Sequence, residues 1–163
     1  MSAARKATPV RVAFYGRVGD GSDPARAERS LARQYQQCVK ALPAGAVTAV
    51  FYDVGSLRHP QPAPPSADFG RHHVRRDGDL QSLFDEASAP SRRFDFVISA
   101  EFDRLARQMT TALVGELADI GIEYLIATEI RAGEPLRFAA MRLRTGLYLD
   151  VLTRIAAHGG GLR

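Results

Sequence analysis

The stretch VRVAFYGRVGDGSDP, residues 10–24, joins an apolar run to a loop rich in glycine and aspartate. The β-branched and aromatic residues of its first part predict a buried strand over residues 10–15. The polar residues that follow, 16–24, predict a loop. From residue 25 to 42 the pattern becomes helical, because apolar side chains three or four positions apart mark one buried face (Leu31, Tyr35, Cys38 and Leu42).

The alternation of short strands and helices continues along the rest of the sequence. Apolar runs predict strands at 47–52, 94–100 and 122–127. Helical patterns are predicted at 80–87, 103–109, 110–120 and 138–158. Thr110 is the predicted cap of the third of these helices, and Gly121 the residue that ends it. This order predicts an α/β fold with a mainly parallel sheet of four to five strands, whose site lies beyond the carboxyl ends of the strands.

Composition excludes several classes of protein. The chain has 163 residues, of which 45% are apolar and 25% charged, which is ordinary for one globular domain. A lone cysteine, Cys38, excludes a disulfide scaffold and a cysteine-rich zinc site. No apolar run approaches the roughly 20 residues of a membrane helix, and no secretion signal follows the basic N-terminus. We therefore expect a cytoplasmic protein without a membrane partner, with a disordered tail over residues 1–9.

The net charge is unevenly distributed. The formal net charge is +4, and residues 131–163 hold six arginines against Glu134 and Asp150, which accounts for all of it. Arginine outnumbers lysine strongly, since Lys6 and Lys40 are the only lysines. Arginine suits bidentate binding of phosphate and carboxylate, although a compositional bias accounts for most of the count. The position of the arginines is therefore more informative than their number.

A long polar stretch, residues 54–78, separates the second strand from the next helix. It contains four prolines and three histidines, His59, His72 and His73, beside Asp68. The histidines lack the i, i+4 spacing of helical metal ligands and have no cysteine to assist them, so no metal is expected. A loop of this length without regular structure is functional or disordered, and residues 57–75 are predicted to be mobile.

Three arginines are predicted to meet at the carboxyl edge of the sheet. Arg17 follows the first strand, while Arg104 and Arg107 follow the third and share one face of a helical turn. Several guanidinium groups at one place need an anion, and a phosphodiester is a natural ligand for them. The alternative is structural ion pairing with Asp53, Glu101 and Asp103.

These residues belong to a series of short motifs in a fixed order. The motifs are Tyr15-x-Arg17-Val18, Ser30-Leu31-x-x-Gln34, Tyr52-Asp53-x-x-Ser56, Arg76 before Leu80 and Leu83, Phe94-Asp95-x-Val97-Ile98, Asp103-Arg104-Leu105-Ala106-Arg107, and Gly121-Ile122 before Glu129. Their order over residues 10–158 resembles the catalytic domain of the serine site-specific recombinases, the resolvase and invertase family. The segment RDGDLQSLFDEA (76–87), followed by RRFDFVI (92–98), is most similar to the large actinobacterial-type members.

The resemblance implies a resolvase-like three-layer domain over residues 10–137 and a dimerising, DNA-proximal helix over 138–158. Family members join a serine to DNA phosphate in a covalent phosphoserine link, so that strand exchange proceeds by transesterification without a metal or cofactor. By position, the resemblance assigns the scissile phosphate to Arg17, Arg76, Arg104 and Arg107, with Asp103 and Gln34 orienting the cluster and Asp53 supporting it. Arg75 is a near alternative to Arg76.

Two features depart from the family. The nucleophilic serine is replaced by Gly19, which has no nucleophilic atom. Family members also carry a separate DNA-binding domain after the long helix, and none is expected here. The resemblance therefore implies a catalytically inactive domain that acts as a dimeric, DNA-associated accessory protein or is a degenerate remnant.

The predicted C-terminal helix has an apolar stripe formed by Leu143, Leu147, Val151 and Ile155. The resemblance implies that this stripe forms a homodimer. Arg142, Arg144 and Arg154 on the same helix are candidate DNA-phosphate contacts, which would give weak, salt-dependent binding by this chain alone. A solvated polar face is the alternative interpretation of these arginines.

Two other functions compete with this hypothesis. The first is an active recombinase that uses another hydroxyl, Ser22, although Ser22 and Asp23 are more simply interpreted as helix caps. The second is a Rossmann-type nucleotide-binding protein, because Gly16, Gly19 and Gly21 follow the first strand and Asp53 ends the second. The glycine spacing differs from that fingerprint, and the helix starts several residues after the last glycine.

Overall fold

The computed structural model describes residues 8–56, 58–69, 72–101 and 107–159 of the chain. Its strands are β1 (Val12–Val18), β2 (Val47–Gly55), β3 (Pro60–Gln61), β4 (Ser66–Phe69), β5 (His72–Arg75), β6 (Phe96–Ser99) and β7 (Glu123–Ile126). Its helices are α1 (Pro24–Ala41), α2 (Leu80–Ala87), α3 (Arg107–Asp119) and α4 (Leu136–Gly159), with a short 3-10 turn at Ala127–Glu129. Most of the predicted N-terminal tail, residues 1–7, lies outside the described part.

The main sheet has the strand order β3-β2-β1-β6-β7. β1 pairs in parallel with β2 on one side and β6 on the other, and β6 pairs in parallel with β7. Only the two-residue strand β3 is antiparallel, at the edge beside β2. The chain therefore moves outward from β1 to β2 and then returns to β6, so the strand order reverses between β1 and β6. The predicted α/β fold with a mainly parallel sheet is confirmed.

β1 lies at the centre because both of its faces are apolar. Val12 and Phe14 point to one side, into a cluster with Leu31 and Cys38 of α1. Ala13 and Tyr15 point to the other side, into a cluster with residues of α2 and α3. A strand covered on both faces is typical of parallel sheets, and the helices on the two faces give the domain three layers.

α1 begins where the sequence provides a cap and a proline. The Asp23 side chain accepts a hydrogen bond from the Arg26 backbone N–H at 3.1 Å, and Pro24 follows it at the first helical position. The predicted buried face is confirmed, since Leu31, Cys38 and Leu42 are buried and Tyr35 is partly buried.

Cys38 provides a chemical test of this packing. Its side chain is fully buried under α1, and desolvation raises the pKa of its thiol to about 12. The thiolate is the reactive form, so at pH 8 we expect Cys38 to be alkylated about a hundredfold or more slowly in native protein than in urea. Mass spectrometry of iodoacetamide-treated samples measures both rates. Equal rates in the two conditions would show that α1 does not cover the thiol.

The segment 54–78, predicted as a polar loop without regular structure, contains a hairpin. β4 and β5 form an antiparallel hairpin within it, and β4 packs against α1. Ala67 and Phe69 are buried, while Asp68 between them is exposed. This alternation anchors the hairpin in the core, which the prolines and histidines of the segment conceal in the sequence. Regular strands therefore occupy part of residues 57–75, and the predicted mobility of that loop stays a prediction.

The helix boundary predicted at Thr110 is also wrong. α3 is continuous from Arg107 to Asp119, so Thr110 lies within the helix. The predicted end is correct, because Gly121 has a φ of 79°, a left-handed conformation that glycine adopts without steric cost. The helix predicted at 103–109 falls largely on residues outside the described part.

α4 changes character along its length. Its first half is attached to the domain, with Ala139, Ala140, Leu143 and Leu147 buried. Its second half is exposed throughout residues 151–158, and Ile155 keeps 63% of its surface accessible. The predicted stripe is therefore buried only up to Leu147.

Within the described residues, no helix combines the length and apolar character that crossing a membrane requires.

Candidate functional site

The reversal of strand order between β1 and β6 places a cleft at the carboxyl ends of these strands, with a volume of about 860 Å³. Clefts at this point of a parallel sheet are the usual ligand sites of such folds. Residues from β1, α1, β6, α3 and β7 line it. They include Tyr15, Arg17, Ser30, Arg33, Gln34, Gln37, Ser99, Glu101, Thr110, Glu116 and Tyr124.

Arg17 and Gln34, both predicted site residues, lie together in this cleft. The Gln34 side-chain N–H donates to the Arg17 backbone carbonyl at 2.9 Å, and the Arg17 backbone N–H donates to the Gln34 side-chain oxygen, Oε1, at 3.2 Å. This reciprocal pair joins α1 to the end of β1 and positions Arg17. Among the described residues, none forms an ion pair with the Arg17 guanidinium.

Asp53 lies beside the cleft and is occupied by structural partners. Its carboxylate accepts hydrogen bonds from the Tyr15 hydroxyl at 2.9 Å and from the Leu80 backbone N–H at 3.1 Å. Burial raises the pKa of the Tyr15 phenol, and the charge of Asp53 raises it further, so Tyr15 stays protonated and donates. Asp53 therefore links β2 to β1 and to the start of α2, and its predicted support of the phosphate-binding arginines stays a prediction.

Arg76 is also held away from the cleft lining. Its guanidinium donates two hydrogen bonds to the Tyr52 carbonyl, at 2.9 and 2.7 Å, and lies 5.2 Å from the centre of the Tyr52 ring. A longer contact of 3.5 Å joins it to Asp53. The neighbouring candidate, Arg75, is exposed at the end of β5. The structure thus brings Arg17 and Gln34 together in the cleft, whereas Arg76 is not among the residues that line it.

Three further residues predicted at this edge follow β6. Asp103 and Arg104 lie outside the described residues, as does the side chain of Arg107. The backbone of Arg107 begins α3, and later residues of that helix, Thr110 and Glu116, line the cleft.

Gly19, which the resemblance aligns with the nucleophile, is exposed and directly follows β1. A Cβ built on Gly19 meets nothing within 4 Å, so a larger residue fits there without a clash. Ser22, the alternative hydroxyl, is exposed, does not line the cleft, and donates its backbone N–H to Asp20 at 2.9 Å. The cap of α1 is Asp23 alone, which corrects the shared role predicted for Ser22.

Sequence reasoning missed a group of hydroxyls in the cleft. Ser99, at the carboxyl end of β6, donates to the Tyr15 carbonyl at 3.0 Å and contacts the Tyr124 hydroxyl, which donates to it. Burial raises the pKa of Tyr124 to about 12. The position of Ser99 at a strand end was the signal that could have identified it, as it identified Arg17.

The three candidate DNA contacts on α4 are each paired with a carboxylate. Arg142 binds Glu134 at 2.8 Å, Arg144 binds Glu123 at 3.5 Å and Arg154 binds Asp150 at 3.1 Å. They also point in different directions, since at 3.6 residues per turn Arg144 and Arg154 lie about 200° and 120° around the helix from Arg142. Arg142 additionally donates to the Glu129 carbonyl at 2.7 Å, which fastens α4 to the 3-10 turn.

Two alternative ligands find little support in this geometry. A ribose-binding acid would need free oxygens, whereas Asp53 is already bound to Tyr15 and Leu80. The N-terminus of α1, where a dinucleotide phosphate would bind, is capped by Asp23. His73 contacts Asp68 across the hairpin at 2.8 Å, but no three metal-binding side chains lie close together in the parts of the chain that the structure describes.

Comparison of the chain with protein families, with curated proteins and with solved structures finds no match. The functional interpretation therefore rests on the residues of the cleft and on the sequence motifs.

Proposed function

We propose that the chain is a serine-recombinase-like domain that binds DNA phosphate in the cleft at β1 and β6 but does not cleave it. The observation that carries the proposal is the Arg17 guanidinium, which lines the cleft without an ion-pair partner among the described residues. Two residues further on, the family's nucleophile is replaced by Gly19.

Phosphate is the ligand that fits this arrangement best. A guanidinium presents a planar fork of N–H donors that matches two phosphate oxygens, and Arg33 of α1 supplies a second such group on the cleft wall. Glu101 and Glu116 also line the cleft. They limit the positive region to the side formed by β1 and α1.

The hydroxyls of the cleft are poorly suited to replace the missing serine. A serine nucleophile needs an oxygen that is free to approach phosphorus. The Ser99 hydroxyl is occupied on both sides, because it donates to the Tyr15 carbonyl and accepts from the Tyr124 phenol, whose pKa is raised. The Ser30 hydroxyl contacts the Gln34 amide at 3.4 Å. These contacts support a cleft that does not cleave the DNA it binds in this proposal.

The exposed half of α4 supports association between two copies. Tyr148, Leu149, Val151, Leu152 and Ile155 leave 38–63% of their surfaces accessible on a helix that extends past the buried Leu147. Such a concentration of exposed apolar side chains is typical of an interaction surface. In the proposed function this surface forms a homodimer, as the resemblance implies.

Restoration of the nucleophile tests the proposal. We expect the natural chain to form no covalent adduct with supercoiled or random-sequence duplex DNA on a denaturing gel. Gly19→Ser adds a hydroxyl into open space, and we expect it to yield a detectable adduct, in which the serine oxygen bonds to phosphorus and a deoxyribose oxygen leaves as a hydroxyl. Gly19→Ala is the matched control and yields none.

Arg17→Ala tests phosphate binding in the cleft independently of adduct formation. It removes the cleft guanidinium, and we expect DNA affinity to fall about tenfold in a fluorescence anisotropy titration. An adduct formed by the natural chain would contradict the proposal, and loss of that adduct in Ser22→Ala or Ser99→Ala would identify the hydroxyl responsible. Unchanged DNA affinity in Arg17→Ala would contradict phosphate binding in the cleft.

A further inference from the structure

A second basic surface lies on α1. Its residues, Arg26, Arg29, Arg33 and Lys40, are the only lysine and arginine residues of the helix, and all four are exposed. At 3.6 residues per turn they fall within an arc of about 60°. This set is called the α1 stripe. It lies opposite the buried face formed by Ala27, Leu31 and Cys38.

The charges of the α1 stripe have few acidic neighbours. None of its four side chains takes part in an ion pair with a described residue. Asp20 lies near Arg26 at one end of the stripe. Glu28, the one acidic residue of the helix, lies outside the stripe and accepts the Asp68 backbone N–H at 2.7 Å, toward the hairpin. The stripe is therefore a continuous positive surface.

The local physics of the helix does not favour the placement of the three arginines. Arg26 lies in the first turn, where the helix dipole disfavours a cation, and that turn has no acidic residue. Arg26 and Arg29 are three residues apart, and Arg29 and Arg33 four, spacings at which like charges destabilise a helix. Positions that break such rules without a local compensation are the ones expected to serve a function.

We infer that the α1 stripe binds the phosphate backbone of duplex DNA. From Arg26 to Lys40 the helix rises about 21 Å, the length of about six phosphates along one strand of the duplex. Arg33 belongs both to the stripe and to the cleft lining, so the positive surface continues from α1 toward Arg17. The inference rests on the proposed function for the identity of the polyanion, and it adds the surface along which DNA approaches the cleft.

The test measures the salt dependence of binding to a random-sequence duplex of about 20 base pairs, between about 50 and 200 mM KCl. In the variant with Arg26, Arg29 and Lys40 all changed to Ala, we expect Kd at about 100 mM KCl to rise tenfold or more. The slope of log Kobs against log salt becomes shallower by about three. Arg29→Glu alone is expected to weaken binding in the same direction.

The matched control removes the same charge elsewhere, by changing the exposed Arg58, Arg131 and Arg137 to Ala. We expect this control to keep the natural slope. An α1 stripe variant with the natural slope and Kd would overturn the inference and would leave an acidic protein as the partner of the stripe. An equal loss in the control would also overturn it, because net charge alone would then explain the binding.

The outcomes also separate the stripe from the cleft. If the stripe variant binds weakly and Arg17→Ala binds normally, the stripe stands and the cleft proposal fails. If Arg17→Ala binds weakly and the stripe variant binds normally, the reverse holds. Absence of DNA binding by the natural chain would overturn both.

Discussion

Phe69→Ala is expected to destabilise the domain by about 3–5 kcal/mol, the usual cost of removing a fully buried aromatic ring. Phe69 is 0% exposed, and its ring centre lies 5.0 Å from that of Tyr35, 6.0 Å from Tyr52 and 6.3 Å from Phe14. The ring thus joins the hairpin to α1 and to both central strands. Urea denaturation followed by circular dichroism measures the free energy of unfolding.

The opposite residue of the hairpin provides the control for Phe69. His72 pairs with Phe69 in the β4–β5 register but is exposed, so His72→Ala is expected to change stability by no more than about 0.5 kcal/mol. Phe69→Leu leaves a smaller cavity and is expected to lose about 1–2 kcal/mol. A loss of less than 1 kcal/mol in Phe69→Ala would mean that the hairpin does not pack on the core.

Asp53→Ala is expected to cost about 2–3 kcal/mol of stability, because it removes the common acceptor of two donors. The Tyr15 hydroxyl and the Leu80 backbone N–H both lose their partner, and the Tyr15 ring is 8% exposed, so water replaces the bond poorly. The free energy of unfolding again gives the measurement. Because Asp53 binds structural partners, we expect a larger effect on stability than on DNA affinity.

Tyr15→Phe measures the part of this stability loss that comes from the hydrogen bond between Tyr15 and Asp53. It removes one hydrogen bond and leaves the ring in place, so we expect about 1 kcal/mol. In the double variant, Tyr15→Phe with Asp53→Ala, the losses should be less than additive, since both remove the same bond. Additive losses would show that the bond between Tyr15 and Asp53 contributes nothing, and the link between β1 and β2 would then need another cause.

The net charge of the chain points to a different surface from the one the structure exposes. The charges of residues 131–163 add up to the net charge of the whole chain. Three arginines of that region are nevertheless paired with Glu134, Glu123 and Asp150. The α1 stripe lies in the part of the chain whose charges sum to zero. Charge sums ignore pairing in space, and unpaired charge is what attracts a polyanion.

The sequence predicted correctly which residues lie at the carboxyl ends of β1 and β2. Arg17 and Asp53 were predicted at the carboxyl ends of β1 and β2, and they are register partners in the sheet. This prediction works because parallel strands leave their ends at one edge, whatever the details of packing. Arg76 was predicted in the same cluster, but its position depends on the hairpin that precedes it, and the bonds to the Tyr52 carbonyl direct it elsewhere.

The sequence by itself determined the elements whose periodicity or caps are local. The buried faces of β1 and α1, the cap at Asp23 and the left-handed Gly121 each depend on neighbours a few residues apart. Tertiary structure alone decided the hairpin packing of Phe69, the pairing of Arg142 and Arg144 and the approach of Ser99 to Tyr124. Those contacts join residues 8 to 55 positions apart, and no local pattern encodes which distant side chains the fold brings within hydrogen-bonding or van der Waals distance.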